Sequence, residues 1–317
     1  MQILLSLFPS TDTILLQLAS LWITVMVITA ITCFLVSELT GNYSQVDKLW
    51  SLMPVIYSLL TLAAFPSPSI WIMSALVTVW GARLSYNFYR KGGFNIIPWK
   101  GEEDNRWKFI RGLPVLKGRI RFGLFNLFFI SFYQHFLILM FCTPLLMAAK
   151  YPHRNLTLTD LTAAFLMLLF IVIESIADNQ QFRFQTLKKD TGSYEGPLSE
   201  SLKRGFLSDG LWRYVRHPNF VSEQAIWISF YLFGASASGQ WLNWTATGPI
   251  LLILLFLGSS ELTERISSGK YPAYVDYKKR VPKFIPCFFR FRKNETEGIG
   301  EEENRGRGEE EKRRRGE

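Results

Sequence analysis

The chain has 317 residues, 49% of them hydrophobic and 15% aromatic, with a formal net charge of +9. Its apolar residues fall in runs long enough to cross a bilayer core, about 20 residues at 1.5 Å rise. That distribution excludes a pair of soluble domains and points to one polytopic membrane domain. The basic residues are gathered in particular loops, the pattern of membrane topology and not of a nucleic-acid partner.

Met1–Asp12 carries no Lys or Arg, and the apolar run after it is too long for a signal peptide core, so a retained first span is expected. That run is Thr13–Val36, followed by a polar link, Ser37–Lys48. A second run, Leu49–Phe65, contains Pro54, which is expected to kink its helix. Pro66-Ser-Pro68 is a turn, and the third run is Ser69–Tyr89. A long polar segment, Arg90–Arg121, leads to the fourth run, Phe122–Ala149, with Pro144 near its end. The fifth run is Leu158–Ala177, and a second large polar segment spans Asp178–His217. The sixth run, Phe220–Ala235, is short and carries Glu223; the seventh is Trp241–Gly258.

The polar segments Ser37–Lys48, Arg90–Arg121, Asp178–His217 and the part from Ser259 contain 1, 9, 7 and 15 Lys or Arg. The N-terminus and the links at 66–68, 150–157 and 236–240 contain 0, 0, 2 and 0. The positive-inside rule puts the first set in the cytoplasm. The expected fold is therefore all-α, with about seven transmembrane helices, the N-terminus outside and the C-terminus cytoplasmic. The shortness of the sixth and seventh runs also allows six spans and a re-entrant hairpin. Residues 1–294 form one membrane domain in this reading. Residues 295–317, rich in Glu, Arg and Gly, are expected to be a disordered charged tail.

Cys33, Cys142 and Cys287 are far apart and odd in number. They read as small buried hydrophobes, with neither a disulfide framework nor a metal site.

Polar groups converge on the predicted cytoplasmic ends. Arg83, Asn87 and Arg90 share a helix face at the end of the third run, and Glu174 and Asp178 share one at the end of the fifth. The stretch Gly205–Glu223 brings Trp212, Tyr214, Arg216, His217, Asn219 and Glu223 to the mouth of the sixth. Arg265, Tyr271 and Tyr277 follow the seventh, and Arg183 and Lys203 lie between the fifth and sixth. Arg and Lys suit phosphates, while carboxylates and Asn suit ribose and amide groups, so the cluster fits a polar cofactor entering from the cytoplasm. Ionisable residues inside a span mark functional sites by default. Tyr133-Gln134-His135, deep in the fourth run, is a candidate proton donor facing a lipid-soluble substrate. Glu174, Tyr133 and His135 are the catalytic candidates.

Leu211-Trp-Arg-Tyr-Val-Arg-His-Pro-Asn-Phe-Val-Ser-Glu223 resembles the signature of the superfamily of steroid 5-alpha-reductases, sterol reductases and isoprenylcysteine carboxyl methyltransferases. Tyr271-Pro-Ala-Tyr-Val-Asp-Tyr277 with Arg280-Val-Pro-Lys-Phe-Ile-Pro286 resembles its aromatic C-terminal element. Val46-Asp-Lys-Leu-Trp50, Arg83–Asn87 with Gly101–Trp107, and Ile176–Gln181 narrow the likeness. They resemble a largely uncharacterised membrane family carrying the 5-alpha-reductase C-terminal domain. The likeness covers roughly Tyr43 to Pro286, mainly residues 120–290.

The resemblance implies a seven-helix reductase that takes NADPH from the cytosol and reduces a double bond in a steroid-, sterol- or isoprenoid-like substrate. It implies cofactor contacts for Asp178, Asn219, Glu223 and Tyr271, and assigns Arg216 and His217 to an Arg-His-Pro motif shared with the methyltransferases. The catalytic Glu and Tyr of the 5-alpha-reductases are not carried over: Leu52 and Trp80 stand at those places. Two other readings stay open. One is a membrane methyltransferase using S-adenosylmethionine, with Glu261 or Glu264 on the last helix. The other is a non-catalytic lipid-binding protein. The sequence implies no oligomeric state.

Overall fold

The computed structural model describes residues 10–95, 97, 101–190 and 194–286. Cys287 and the expected tail at 295–317 lie outside the described residues. Among the described residues all regular structure is helical, with no strand. In chain order the helices are α1 (Thr11–Thr40), α2 (Gln45–Ala64), α3 (Pro68–Arg90), α4 (Asn105–Arg111), α5 (Arg119–Ala149) and α6 (Leu158–Lys189). They continue with α7 (Ser199–Arg204), α8 (Pro218–Ser238), α9 (Thr247–Lys270) and α10 (Tyr274–Arg280).

Helices α1, α2, α5 and α6, and the segment Trp244–Lys270 that contains α9, are long and apolar enough to cross a membrane. The chain is thus a multi-pass membrane protein. The third and sixth predicted runs are also helices, α3 of 23 residues and α8 of 21, but they carry more polar side chains. Arg83, Asn87 and Arg90 lie on α3, and Glu223 and Gln224 on α8.

Local chemistry sets the ends. Ser67 caps α3, with Pro68 in its first turn, and Pro218 opens α8, where a missing N–H costs nothing. Thr157 and Asp160 form a reciprocal capping box at the start of α6. Pro54 stands inside α2. Helix α5 is not uniform: Asn126–Tyr133 is π-helical, and Thr143-Pro144 divides the remainder. π-Helical stretches gather at functional sites. Helix α9 runs past Gly258 to Lys270, since its backbone groups bond within the helix whether its side chains are apolar or polar.

Helix α8 packs along α6 and α2 along α3, while α9 packs on the Gln134–Cys142 part of α5. Trp22, Trp80, Trp227, Tyr57, Phe141 and Phe230 fill the centre. At the end of α3, α6 and α8 away from the large basic loops, Arg154 makes a paired contact to Asp160, with Nη2 to Oδ1 at 2.6 Å and Nη1 to Oδ2 at 2.8 Å. It also donates to Ser69 at 3.0 Å and to Ser236 at 3.3 Å. One guanidinium thus staples all three helices. At the other end a different set of charges meets.

Candidate functional site

Helix α3 brings Arg83 to its polar end. Arg83 Nη1 donates to Asp178 Oδ2 at 2.8 Å, and Nη2 lies 3.0 Å from Glu174 Oε1 and 3.8 Å from Glu223 Oε2. Asn87, one turn on, donates to the same Asp178 oxygen at 2.8 Å. Arg90 in turn holds Asn87 Oδ1, with contacts of 3.0 and 2.7 Å. Three carboxylates from α6 and α8 therefore share one guanidinium from α3. They are 4 to 5% exposed, so ordinary solvation is denied to them.

Glu223 is fixed by two indoles. Trp80 Nε1 donates to Oε2 and Trp227 Nε1 to Oε1, each at 3.0 Å. The two rings meet edge to face, with centroids 4.9 Å apart. Trp80, which stands where the 5-alpha-reductase likeness expects a catalytic Tyr, is thus a buried positioning group for Glu223. Leu52, at the place of the expected Glu, is exposed on the outer surface.

A cavity of about 850 Å³ opens beside this cluster, the size range of small-molecule sites. Glu174, Asp178, Asn219 and Glu223 form its polar end. Two acceptors lie buried there without a hydrogen-bond partner: Glu174 Oε2 and Asn219 Oδ1. Such atoms are costly unless a ligand or water completes them. The walls are apolar: Trp50 from α2, Leu84 from α3, Phe125, Phe129 and Tyr133 from α5, and Leu254 to Phe256 from α9. Phe125, Phe129 and Tyr133 stack as a ladder, with centroid spacings of 5.0 and 5.4 Å and interplanar angles of 21° and 13°.

The segment between α3 and α5 caps the cavity. Asp104 starts α4, its Oδ1 accepting from Arg106 N at 2.8 Å, and its own N donates to Ser44 at 2.9 Å. Trp107 donates to Asp47 at 3.0 Å, and Arg106 pairs with Asp104 at 2.9 Å and reaches Ser259 on α9 at 3.2 Å. Burial alone would raise the Asp104 carboxyl, but the Arg106 guanidinium outweighs it and holds the group below the usual carboxylate range. Burial opposes the Arg106 charge, and Asp104 and Asp47 more than restore it. Lys91, Glu102 and Asn105 are exposed at this charged mouth.

The remaining expected site residues lie elsewhere. Arg216 and His217 converge on Glu264 Oε1 at 2.8 and 3.0 Å, and Lys278 reaches Glu264 Oε2 at 3.0 Å. Arg216 also donates to the carbonyls of Lys278 at 2.6 Å and Val281 at 2.8 Å. The pair therefore ties α10 to α9 and does not line the cavity. Tyr277 donates to Trp212 O, and burial pushes its phenol well up. Trp212 donates to Ala177 O at 3.4 Å. Tyr271 accepts from Lys188 at 2.7 Å. Burial would raise its phenol, but that bond and the charge behind it bring it below the ordinary value. Gly205 sits here at φ +84°, and a Cβ on it would lie 2.6 Å from the Tyr271 ring. Arg183, Lys203, Tyr214 and Arg265 are exposed, and Lys203 lies 3.8 Å from Glu200. His135 is buried, with Nδ1 on Ser131 O at 2.7 Å and Nε2 without a partner, and it does not line the cavity.

The cavity thus gathers Tyr133, Glu174, Asp178, Asn219 and Glu223 from the expected residues. Asn87 and the Asp104–Trp107 cap line it too, while Arg83 and the two indoles stand behind its carboxylates. The spacing of Trp227 four residues after Glu223 signals its bond, since such positions face each other on a helix. No spacing signals Trp80. Among the described residues no group of His, Cys, Asp or Glu is arranged to hold a metal ion.

Residues 33–281 match the family described as protein of unknown function (DUF1295). An uncharacterized protein of Schizosaccharomyces pombe, C594.04c, is 38% identical over 263 residues, which cover 79% of this chain and 74% of that protein. No solved structure matches.

Proposed function

Starting from the fact that the chain belongs to the DUF1295 family, we propose that it is a membrane oxidoreductase that uses NADPH to reduce a carbon–carbon double bond in a lipid-soluble substrate. The observation that carries this reading is the meeting of Asp178, Asn219 and Glu223 at the polar end of one cavity. These residues match the cofactor-contacting positions of the steroid 5-alpha-reductases that the chain resembles. The donor set fits. Carboxylates and an amide oxygen accept from ribose hydroxyls and a carboxamide, and Lys91 and Arg106 stand at the charged mouth to meet phosphates. NADPH, when bound, supplies a hydride. Asp178, Asn219 and Glu223 would hold it, Glu223 in an orientation that the indoles of Trp80 and Trp227 fix. Tyr133 and Glu174 are left to face the substrate. The Tyr133 phenol is placed to donate a proton or polarise a carbonyl, and the apolar walls exclude water. By the positive-inside rule, seven spans put the charged mouth at the cytoplasmic face.

One observation favours a second reading, a methyltransferase using S-adenosylmethionine. Carboxylates outnumber cations along the cavity, with Asp47, Glu102, Glu103 and Asp104 adding to the three at the polar end. An acidic wall suits a sulfonium cation better than a set of phosphates. Purified full-length protein in detergent separates the two. A ligand at 100 times its dissociation constant adds about 2.7 kcal/mol to stability, a readable thermal shift. The reductase reading expects the shift with NADPH and none with S-adenosylmethionine. The opposite result overturns it, and no shift with either leaves a lipid-binding role.

A further inference from the structure

Two glycines on α9 describe the shape of its packing on α5. At Gly248 the helices touch: an added Cβ would lie 2.4 Å from Met140 O and 2.5 Å from Phe141 Cα. At Gly258, almost three turns further on, an added Cβ would meet nothing within 4 Å. Helix α9 packs on Gln134–Cys142 and diverges from the π-helical stretch Asn126–Tyr133. The gap is closed at its narrow end by the crossing at Gly248 and at its wide end by the cap, through Arg106 and Ser259 at 3.2 Å. Between those closures the cavity wall includes Phe129, Leu254 and Gly258, all exposed within spanning segments. Phe129 is 36% exposed and Leu254 55%.

The cavity therefore has two mouths of opposite character. The charged one, with Lys91, Glu102 and Asn105, admits ligands from water. The other is apolar and lies at bilayer depth, where a lipid meets no desolvation barrier on entry. We propose that the gap between α5 and α9 is a lateral portal, through which an amphipathic lipid slides its hydroxyl-bearing head from the bilayer to Glu174 while its hydrocarbon rests on the Phe125–Phe129–Tyr133 ladder. The head chemistry follows from what waits for it. Glu174 Oε2 is an acceptor, buried and unpartnered in a residue that is 5% exposed, and it lines the cavity. A hydroxyl, which can both donate and accept, completes it. The ladder offers three near-parallel ring faces to a flat or unsaturated hydrocarbon. This assignment rests on the cavity taking a lipid-soluble substrate and is independent of which cofactor the charged mouth admits.

The test uses the full chain in lipid nanodiscs with a diazirine-bearing farnesol as probe, photolysed and mapped by mass spectrometry. Wild-type protein is expected to be labelled on Phe125–Tyr133 and Leu254–Leu262, with competition by unlabelled farnesol. Gly258→Trp fills the open space, and labelling of the cavity residues is lost; Leu254→Trp gives the same loss if the first variant fails to fold. Phe128→Trp, on the outward face at 65% exposure, leaves cavity labelling unchanged. Labelling confined to outward residues in the wild type, or cavity labelling that survives both tryptophan plugs, overturns the portal. The NADPH thermal shift is read on the same samples. Its absence with cavity labelling intact removes the cofactor reading and leaves the portal. Its presence without cavity labelling removes the portal and leaves the cofactor reading.

Discussion

Two arginines join the same three helices at opposite ends, and they are not used alike. Arg154 meets one carboxylate, Asp160, whose oxygens also accept from the Thr157 N–H and hydroxyl at 2.8 and 2.9 Å. No acceptor of Asp160 is left over. Arg83 meets three carboxylates that line a cavity, and both its own Nε and Glu174 Oε2 are left without a hydrogen-bond partner. A buried carboxylate that is complete, as Asp160 is even though Arg154 Nε has no acceptor, holds helices together. A buried cluster with unpartnered polar atoms at a cavity is tolerable only if something completes it. The first end is built for stability and the second for a ligand.

That contrast can be broken at either end. The largest effect is expected at the complete one. Asp160→Ala strands Arg154 in the interior and should cost about 3–5 kcal/mol, measured by thermal or denaturant unfolding, while any ligand-induced shift in the surviving fold keeps its wild-type size. Glu223→Gln comes next. It leaves one indole N–H facing an amide NH₂, which should cost about 1–3 kcal/mol, and it removes the NADPH-induced shift. A retained shift would make Glu223 a purely structural partner of Trp80 and Trp227. Glu174→Gln should cost least, within about 1 kcal/mol, because Arg83 keeps its hydrogen bond to Asp178. Its effect falls on the lipid: farnesol labelling of the cavity is expected to fall in nanodiscs, with the NADPH shift unchanged. A large loss of stability there would erase the distinction between the two ends.

The helical, membrane-spanning character was legible in the apolar runs, because length and hydrophobicity suffice for it. Faces along single helices were legible too. Arg83 with Asn87, and Glu174 with Asp178, are one turn apart and do point the same way. Relations between helices were not. Nothing local ties Trp80 to Glu223, 143 positions apart, or Arg106 to Ser259. The basic, aromatic stretch Gly205–Glu223 looked like one cofactor grip and divides into two parts. Up to His217 it locks α10 against α9 through Glu264; from Asn219 onward it lines the cavity. Arg216 could be read as a phosphate ligand because its partners, Glu264 and the carbonyls of Lys278 and Val281, are distant in sequence. The cap at Asp104–Trp107 served in the sequence only as a likeness, since its role depends on reaching Ser44, Asp47 and Ser259.

The most direct measurement is the NADPH-induced thermal shift of Asn219→Leu. Asn219 Oδ1 is buried, unpartnered and at the cavity wall, so the substitution removes a ligand acceptor without breaking a bond within the protein. The account predicts wild-type stability in the absence of nucleotide and no shift on its addition, while Asp160→Asn is less stable and shifts as far as the wild type. A full NADPH shift in Asn219→Leu would contradict it.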